Sequence, residues 1–292
     1  MPWSCLETRY LDSFVDFLQK KEYNCMSFSD YIRSSLSGGG NYFNRTRIKH
    51  DNIVIHTDED SNIIDFSIML TPSGQLLLMS GSSALNSSFK IRTGLDMIRN
   101  LGKRINLVMG EKSCVERVFA SISASPGSRS AIDYHTMVLD RNNFKDFYSF
   151  EDLEFRTPLE SDFEVLKFMQ KNYEKEEVLL VPQLFNRRES EENLIKMLEE
   201  QTVIVAVYRG KAAAKANTNC IGFRHEQIGG VYTFPEYRNL GISTAVTAVL
   251  CRSIFSRGKK PSLFVKENNS PAIRVYEKAG FKKTGDLRIV YQ

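Results

Sequence analysis

No run of residues here is apolar enough for long enough to cross a bilayer, and Met1-Pro2-Trp3-Ser4-Cys5 has neither the basic nor the apolar region of a secretory signal. A soluble, cytoplasmic protein is therefore expected, with no membrane partner. Cysteine is scarce: Cys5, Cys25, Cys114, Cys220 and Cys251 are odd in number and lack the paired spacing of metal ligands, so they are expected reduced and mostly buried. Four scattered histidines give no metal cluster, and no metal is expected. The excess of positive charge is also small. A net +4 does not argue for a nucleic-acid partner.

What the chain does have is length and apolar content. With 292 residues, 42% of them hydrophobic, there is material for two cores. In the first half, apolar runs predict strands at Asn52 to Thr57, Ile63 to Thr71 and Gln75 to Ser80, then a helix from Phe89 to Leu101. A strand at Ile105 to Met109, a helix at Cys114 to Ile122 and a strand at Ile132 to Leu139 follow. In the second half, helices are expected at Asp162 to Glu177 and Glu189 to Glu200. A hairpin comes next, Val203 to Tyr208 and Ala212 to Phe223 around Arg209-Gly210. The run of strand, helix, strand, helix, strand occurs from Leu76 to Val138 and again from Gly229 to Val290, which predicts a structural repeat. The boundary is placed between Asp140 and Glu154, giving domains 1–145 and 150–292. Ser34 to Gly40 reads as a flexible linker, and Asp58 to Ser61 as an exposed turn.

The most specific stretch runs from Gly230 to Phe281. The apolar strand Ile228 to Phe234 leads into Arg238-Asn239-Leu240-Gly241-Ile242-Ser243, which opens a helix with Ala245, Val246, Val249, Leu250 and Ile254 on its core face. The first amides of a helix have no intrahelical partner and carry partial positive charge, which suits a pyrophosphate. Gly241 permits close approach, Ser243 is small, and Arg238 adds a permanent charge. Arg257, Gly258 and Pro261 end that helix, and Ser262 to Val265 forms a strand. Ser270 as cap and Pro271 at the first turn then open a helix carrying Tyr276 and ending at Gly280.

These residues resemble the Gcn5-related N-acetyltransferase superfamily. The match lies in Arg238 to Ser243 and in Asn269-Ser270-Pro271-Ala272 followed by Val275-Tyr276-Glu277-Lys278-Ala279-Gly280-Phe281, with Ser243 departing from the usual Gly or Ala. The resemblance implies an α/β (α+β) chain of two tandem acetyltransferase-like domains. Each would have a mixed, mostly antiparallel sheet flanked by helices, splayed at the cofactor cleft of the second domain. The first copy is degenerate, because no Arg or Gln follows its central strand at Ser80-Gly81-Ser82-Ser83-Ala84 and no Tyr precedes a Gly-Phe pair. It would be kept for packing, for part of the acceptor site or for homodimer formation.

The resemblance further implies acetyl-CoA (coenzyme A) as cofactor, held by Arg238, Asn239, Leu240, Gly241, Ile242 and Ser243. Its pantetheine arm would pair with the backbone of Val231, Tyr232 and Thr233, and Asn269 would reach it from the far side. Tyr276 matches the tyrosine that protonates the departing thiolate, and a phenol with an ordinary pKa near ~10 can donate at neutral pH. The base is expected at Glu226 or His225, with Glu226 first, only one of which can face a common site along a strand. The acceptor would be a primary amine on a small molecule or peptide, walled by Tyr173 to Glu177 and Asn186 to Glu189. The alternative is a non-catalytic acyl-CoA sensor with the same loop and no base. Aminoacyl or long-chain acyl transfer would need a wider channel.

Overall fold

Period-two apolar patterns in both halves close into one sheet. The structure, a computed structural model, describes residues 3–36, 52–58, 61, 63–81, 88–121, 130–146 and 151–291. Twelve strands take part: β1 (Trp3–Cys5), β2 (Ile53–Thr57), β3 (Ile64–Leu70), β4 (Gln75–Ser80), β5 (Leu107–Glu111), β6 (Ser130–Val138), β7 (Leu153–Arg156), β8 (Val203–Tyr208), β9 (Lys211–Ile221), β10 (His225–Thr233), β11 (Lys260–Lys266) and β12 (Lys282–Tyr291). Their spatial order is β1-β2-β3-β4-β5-β12-β6-β11-β10-β9-β8-β7. Among the described residues only β4–β5 and β10–β11 are parallel, and they are corresponding pairs of the two halves.

The repeat expected from Leu76 and Gly229 onward is present. Helices α3 (Ser88–Arg99) and α4 (Lys112–Ser121) follow β4 and β5, as α7 (Ile242–Ser256) and α8 (Ser270–Ala279) follow β10 and β11. The halves also exchange their last strands. The first half's β6 pairs with β11, and the second half's β12 pairs with β5, so β6 and β12 join the halves at the middle of the sheet. The expected boundary falls on the connection from β6 to β7, of which residues 147–150 lie outside the described residues.

Two helices at the start, α1 (Leu11–Lys21) and α2 (Met26–Leu36), and the edge strands β1 and β7 are additions to the expected elements. Phe14, Phe17 and Leu18 of α1 and Phe28, Tyr31 and Ile32 of α2 recur at helical spacing and are buried in one cluster with Ile55, Met79 and Leu287. Helix α2 takes in Ser34 to Leu36 of the expected linker, whose remaining residues lie outside the described set, as do 59–60 of the expected turn and 82–84 after β4.

Between α1 and α2, Glu22 is fully buried and reaches across to the second half. Its carboxylate accepts from the amides of Phe223 (2.8 Å), Arg224 (2.6 Å) and His225 (2.6 Å) and lies 2.9 Å from His225 Nδ1. A buried carboxylate with this many donors orients the start of β10 relative to the first half. Glu22→Ala leaves those amides unpaired and is expected to cost about 2 kcal/mol, read as a lowered urea midpoint.

Candidate active site

The parallel pairing of β10 with β11 stops early, at Gln227 opposite Ser262, although β10 continues to Thr233 and β11 to Lys266. From there β11 keeps its pairing with β6 on its other edge to Lys266 but has no registered partner in β10, so the two strands separate as expected. A bulge interrupts β10 between Gly229 and Tyr232, and Gly230 sits there at φ +56°. A Cβ at Gly230 would lie 1.8 Å from Asn217 Oδ1, so glycine is required for the side chains of β9 to pack against the bulge.

At the end of β10 the chain turns through Asn239 (φ +65°) and Gly241 (φ +83°) into α7, which has no capping side chain. The backbone of 239–243 therefore presents the helix-start amides. Nothing lies within 4 Å of a Cβ built on Gly241, so the turn is uncovered. The small Ser243 hydroxyl bonds Thr233 Oγ1 at 2.8 Å, Ile242 faces the core, and Leu240 is exposed. Tyr232 and Thr233 are buried on β10, and Val231 packs at the edge of the core. These features fit a diphosphate at the turn and an extended arm in the gap between the strands.

Arg238 and Asn269 have partners of their own in this structure. Helix α5 (Phe163–Tyr173) runs into a π-type turn, Glu174–Val178, that crosses the cleft. Arg238 donates to the Thr233 carbonyl (3.1 Å) and to Glu176 (2.9 Å), and Asn269 Nδ2 donates to Glu177 (3.0 Å). Asn269 also caps α8, its oxygen accepting from the Ala272 amide, so the cap is Asn269 where Ser270 was expected. Two adjacent carboxylates thus hold two residues expected to bind the cofactor. If acetyl-CoA binds as the resemblance implies, replacing both, Glu176→Gln with Glu177→Gln, is expected to tighten it about 5-fold by calorimetry, because Arg238 is released to the phosphates and Asn269 to the pantetheine arm.

Tyr276 is buried on α8, edge-on to Phe281 with ring centroids 5.9 Å apart. Burial holds its phenol well above the usual range, and the neighbouring Tyr173 adds to the shift. Burial likewise raises Tyr173, opposed by the hydrogen bond it makes with the Gly230 backbone. Behind the bulge, fully buried Lys215 donates to the Gly230 carbonyl (3.0 Å) and Asn217 Oδ1 (3.1 Å), with Nζ 5.3 Å from the Tyr173 ring centre. Lys215 was not among the expected site residues. Its signal was a lone charge inside Ala212-Ala213-Ala214-Lys215-Ala216, and in the structure Ala213, Ala214 and Ala216 are buried beside it.

Glu226 and His225 lie elsewhere. Glu226 is 2% exposed at the closed end of β10, where Arg257 grips both its oxygens at 3.0 and 2.5 Å, and His225 is held by Glu22. The structure places Glu226 against Arg257 rather than against Tyr276, a geometry that orients the end of α7 instead of freeing a base.

Beside the bulge opens a cavity of about 460 Å³, lined by Tyr173, Glu174, Asn217, Gln227 and Gly230. Helix α6 (Arg187–Glu200) forms one wall, while Ser27, Asp30, Tyr31, Ser73 and Gln75 of the first half form another. The wall expected at Tyr173 to Glu177 and Asn186 to Glu189 thus contributes through Tyr173, Glu174, Asn186 and Glu189. His135, Glu267 and Asp286 also converge, with donor atoms within 4.8 Å of one another. Lys112 and Lys283 pair with those carboxylates at 3.6 and 2.6 Å, so this group is an ion-pair network. No helix among the described residues is long and apolar enough to cross a membrane, and burial pushes the Cys25 thiol up to about 12.

Residues 204–289 match the family model described as FR47-like protein. A mycothiol acetyltransferase from Acidothermus cellulolyticus is 38% identical over 81 residues, 26% of this chain. The chain spans only 24% of the length of that relative. Among solved structures, a Drosophila protein superposes with a TM-score of 0.68 at 11% identity, over 99% of this chain and 98% of its own. A tandem GNAT protein from the clavulanic acid biosynthesis pathway superposes over 99% of this chain and 95% of its own, with a TM-score of 0.53 and 9% identity. This chain has the tandem Gcn5-related N-acetyltransferase (GNAT) fold. In GNAT terms, the second half carries the splayed strands and the open turn. The first half repeats the order of elements, and its parallel pair is also registered over three residues, ending at Leu77 opposite Met109, with Gly110 of β5 still close to Leu78 of β4, where an added Cβ would lie 2.9 Å from the Leu78 carbonyl.

Proposed function

We propose that the second half transfers an acetyl or similarly short acyl group from acyl-CoA to a primary amine by direct attack. The observation that carries this reading is the uncovered left-handed turn at Gly241, following a strand that parts from β11 and whose Gly230 bulge is bonded by Tyr173, the neighbour of Tyr276. The amides of 241–243 and Arg238 would hold the diphosphate, and the backbone of Val231 to Thr233 would hold the pantetheine arm. When bound, acetyl-CoA supplies an acyl group activated as a thioester. The C–N bond forms as the C–S bond breaks, Tyr276 gives its proton to the departing sulfur, and the proton that the amine gives up passes through solvent water and restores the phenol.

The test is release of free thiol from acetyl-CoA by the full chain over a panel of amines, paired with calorimetric binding of acetyl-CoA. Binding with turnover supports the enzyme. Binding without thiol release from any amine selects the sensor reading, and no binding removes both. Glu226, the residue expected to take the amine's proton, is tested separately. Because Arg257 occupies its carboxylate, Glu226→Gln is expected to keep kcat within about 3-fold and to lower stability by about 1 kcal/mol. A 100-fold loss of kcat with unchanged stability would restore Glu226 as the base.

A further inference from the structure

The cavity beside the bulge is built to receive hydrogen-bond donors and positive charge. Gln227, 3% exposed, lines the cavity and its buried side-chain oxygen has no partner, and the buried Gln170 oxygen is also unpaired. The orientation of Gln170 follows from its neighbour: its amide nitrogen donates to Glu174 at 2.8 Å, which a carboxylate requires, leaving the oxygen to the cavity. Two buried acceptors without donors are costly in a folded protein, and a ligand bearing several N–H groups satisfies both.

Charge on the walls has the same sense. Asp30, Glu174, Glu189 and Glu200 line the cavity against one lysine, Lys196. Burial holds the Asp30 carboxyl above its ordinary value. Its partner Arg33 pulls against that, and the nearby Glu200 carboxylate pushes the same way as burial. The volume of about 460 Å³ lies in the range of small-ligand sites, and the cavity reaches Gly230 at the split between β10 and β11.

We propose that this cavity binds the acceptor, and that the acceptor is a small aliphatic diamine or polyamine: one nitrogen reacts, while a second, positively charged nitrogen is held by the acidic wall and the Gln170 and Gln227 oxygens. The proposal rests on the acyl-transfer reading for the role of the bound amine, but not for its binding. It assigns the first half a part in recognition, through Asp30 and its neighbours on the wall.

Calorimetry on the full chain with 1,4-diaminobutane, 1-aminobutane and glycine tests it, with thiol release from acetyl-CoA measured for each. The diamine is expected to bind at least about 10-fold tighter than the monoamine or glycine, as hydrogen bonds to a charged group allow. Gln227→Leu and, on the exposed side of α6, Glu189→Gln are each expected to weaken the diamine about 5-fold and to leave acetyl-CoA affinity unchanged. The second variant keeps the test meaningful if the first does not fold. Equal binding of diamine and monoamine, tighter binding of glycine, or no effect of Glu189→Gln in a folded protein overturns the proposal. Acetylation of glycine with the diamine ignored would leave the acyltransferase standing and remove the diamine. Diamine binding that the variants weaken, with no thiol released, would do the reverse.

Discussion

Tyr276→Phe is expected to lower kcat by about 100-fold or more while acetyl-CoA affinity stays within 2-fold, read by thiol release and calorimetry. The substitution removes one oxygen from a buried ring and leaves its packing against Phe281 intact. What disappears is the proton that a departing thiolate requires. Because burial and Tyr173 hold the Tyr276 phenol well above its ordinary value, it stays protonated throughout the range where the protein is assayed. Its ionisation therefore contributes no alkaline limb to the kcat profile below pH 10. A variant that loses acetyl-CoA binding instead would show that the ring holds the cofactor, and unchanged kcat would remove it from the reaction.

The elements that carry this site were the most legible in the sequence because each is dictated locally. Gly241 after an apolar strand, Pro271 at a helix start and Gly280 before Phe281 act through backbone geometry within a few residues, and the structure places the expected turn and helix at each. Helices α1 and α2 carry the same helical spacing of aromatics, but the four serines of α2 give it little intrinsic preference, and burial of both helices in one cluster with β2, β3 and β4 supplies the rest. The exchange of β6 and β12 could not be read locally. Either strand has the alternation to pair with β5 or β11, and the choice is made by packing of the two halves together. The surroundings of Glu226 were hidden for a similar reason, since Arg257 is 31 residues away and meets it only when α7 packs beside β10.

Lys215 gives the protein an expected stability that rises with pH from neutrality to about pH 8.5. Burial without a carboxylate partner brings its amine down to about 7 from 10.5, and Glu174 offsets only part of this. Between those values the unfolded chain binds the proton and the folded chain does not, so stability increases with pH there at up to ~1.4 kcal/mol per unit. Below pH 7 both states are charged, and the folded state bears the whole penalty, on the order of 5 kcal/mol across the interval. Lys259, also lowered by burial, adds in the same direction. Above about pH 9 the sign reverses, because Cys25, Cys114, Cys220 and Cys251 are raised by burial and the unfolded chain loses their protons first. Urea unfolding at pH 7.0 and 8.5 is expected to show a net gain of about 1 kcal/mol in the parent protein, the buried thiols already offsetting part of the lysine's effect. In Lys215→Met, most of that gain disappears while the alkaline fall remains. An unchanged slope would mean that the amine keeps its charge against the Gly230 carbonyl and the Tyr173 ring. The bulge would then hold a permanent cation beside the split strands.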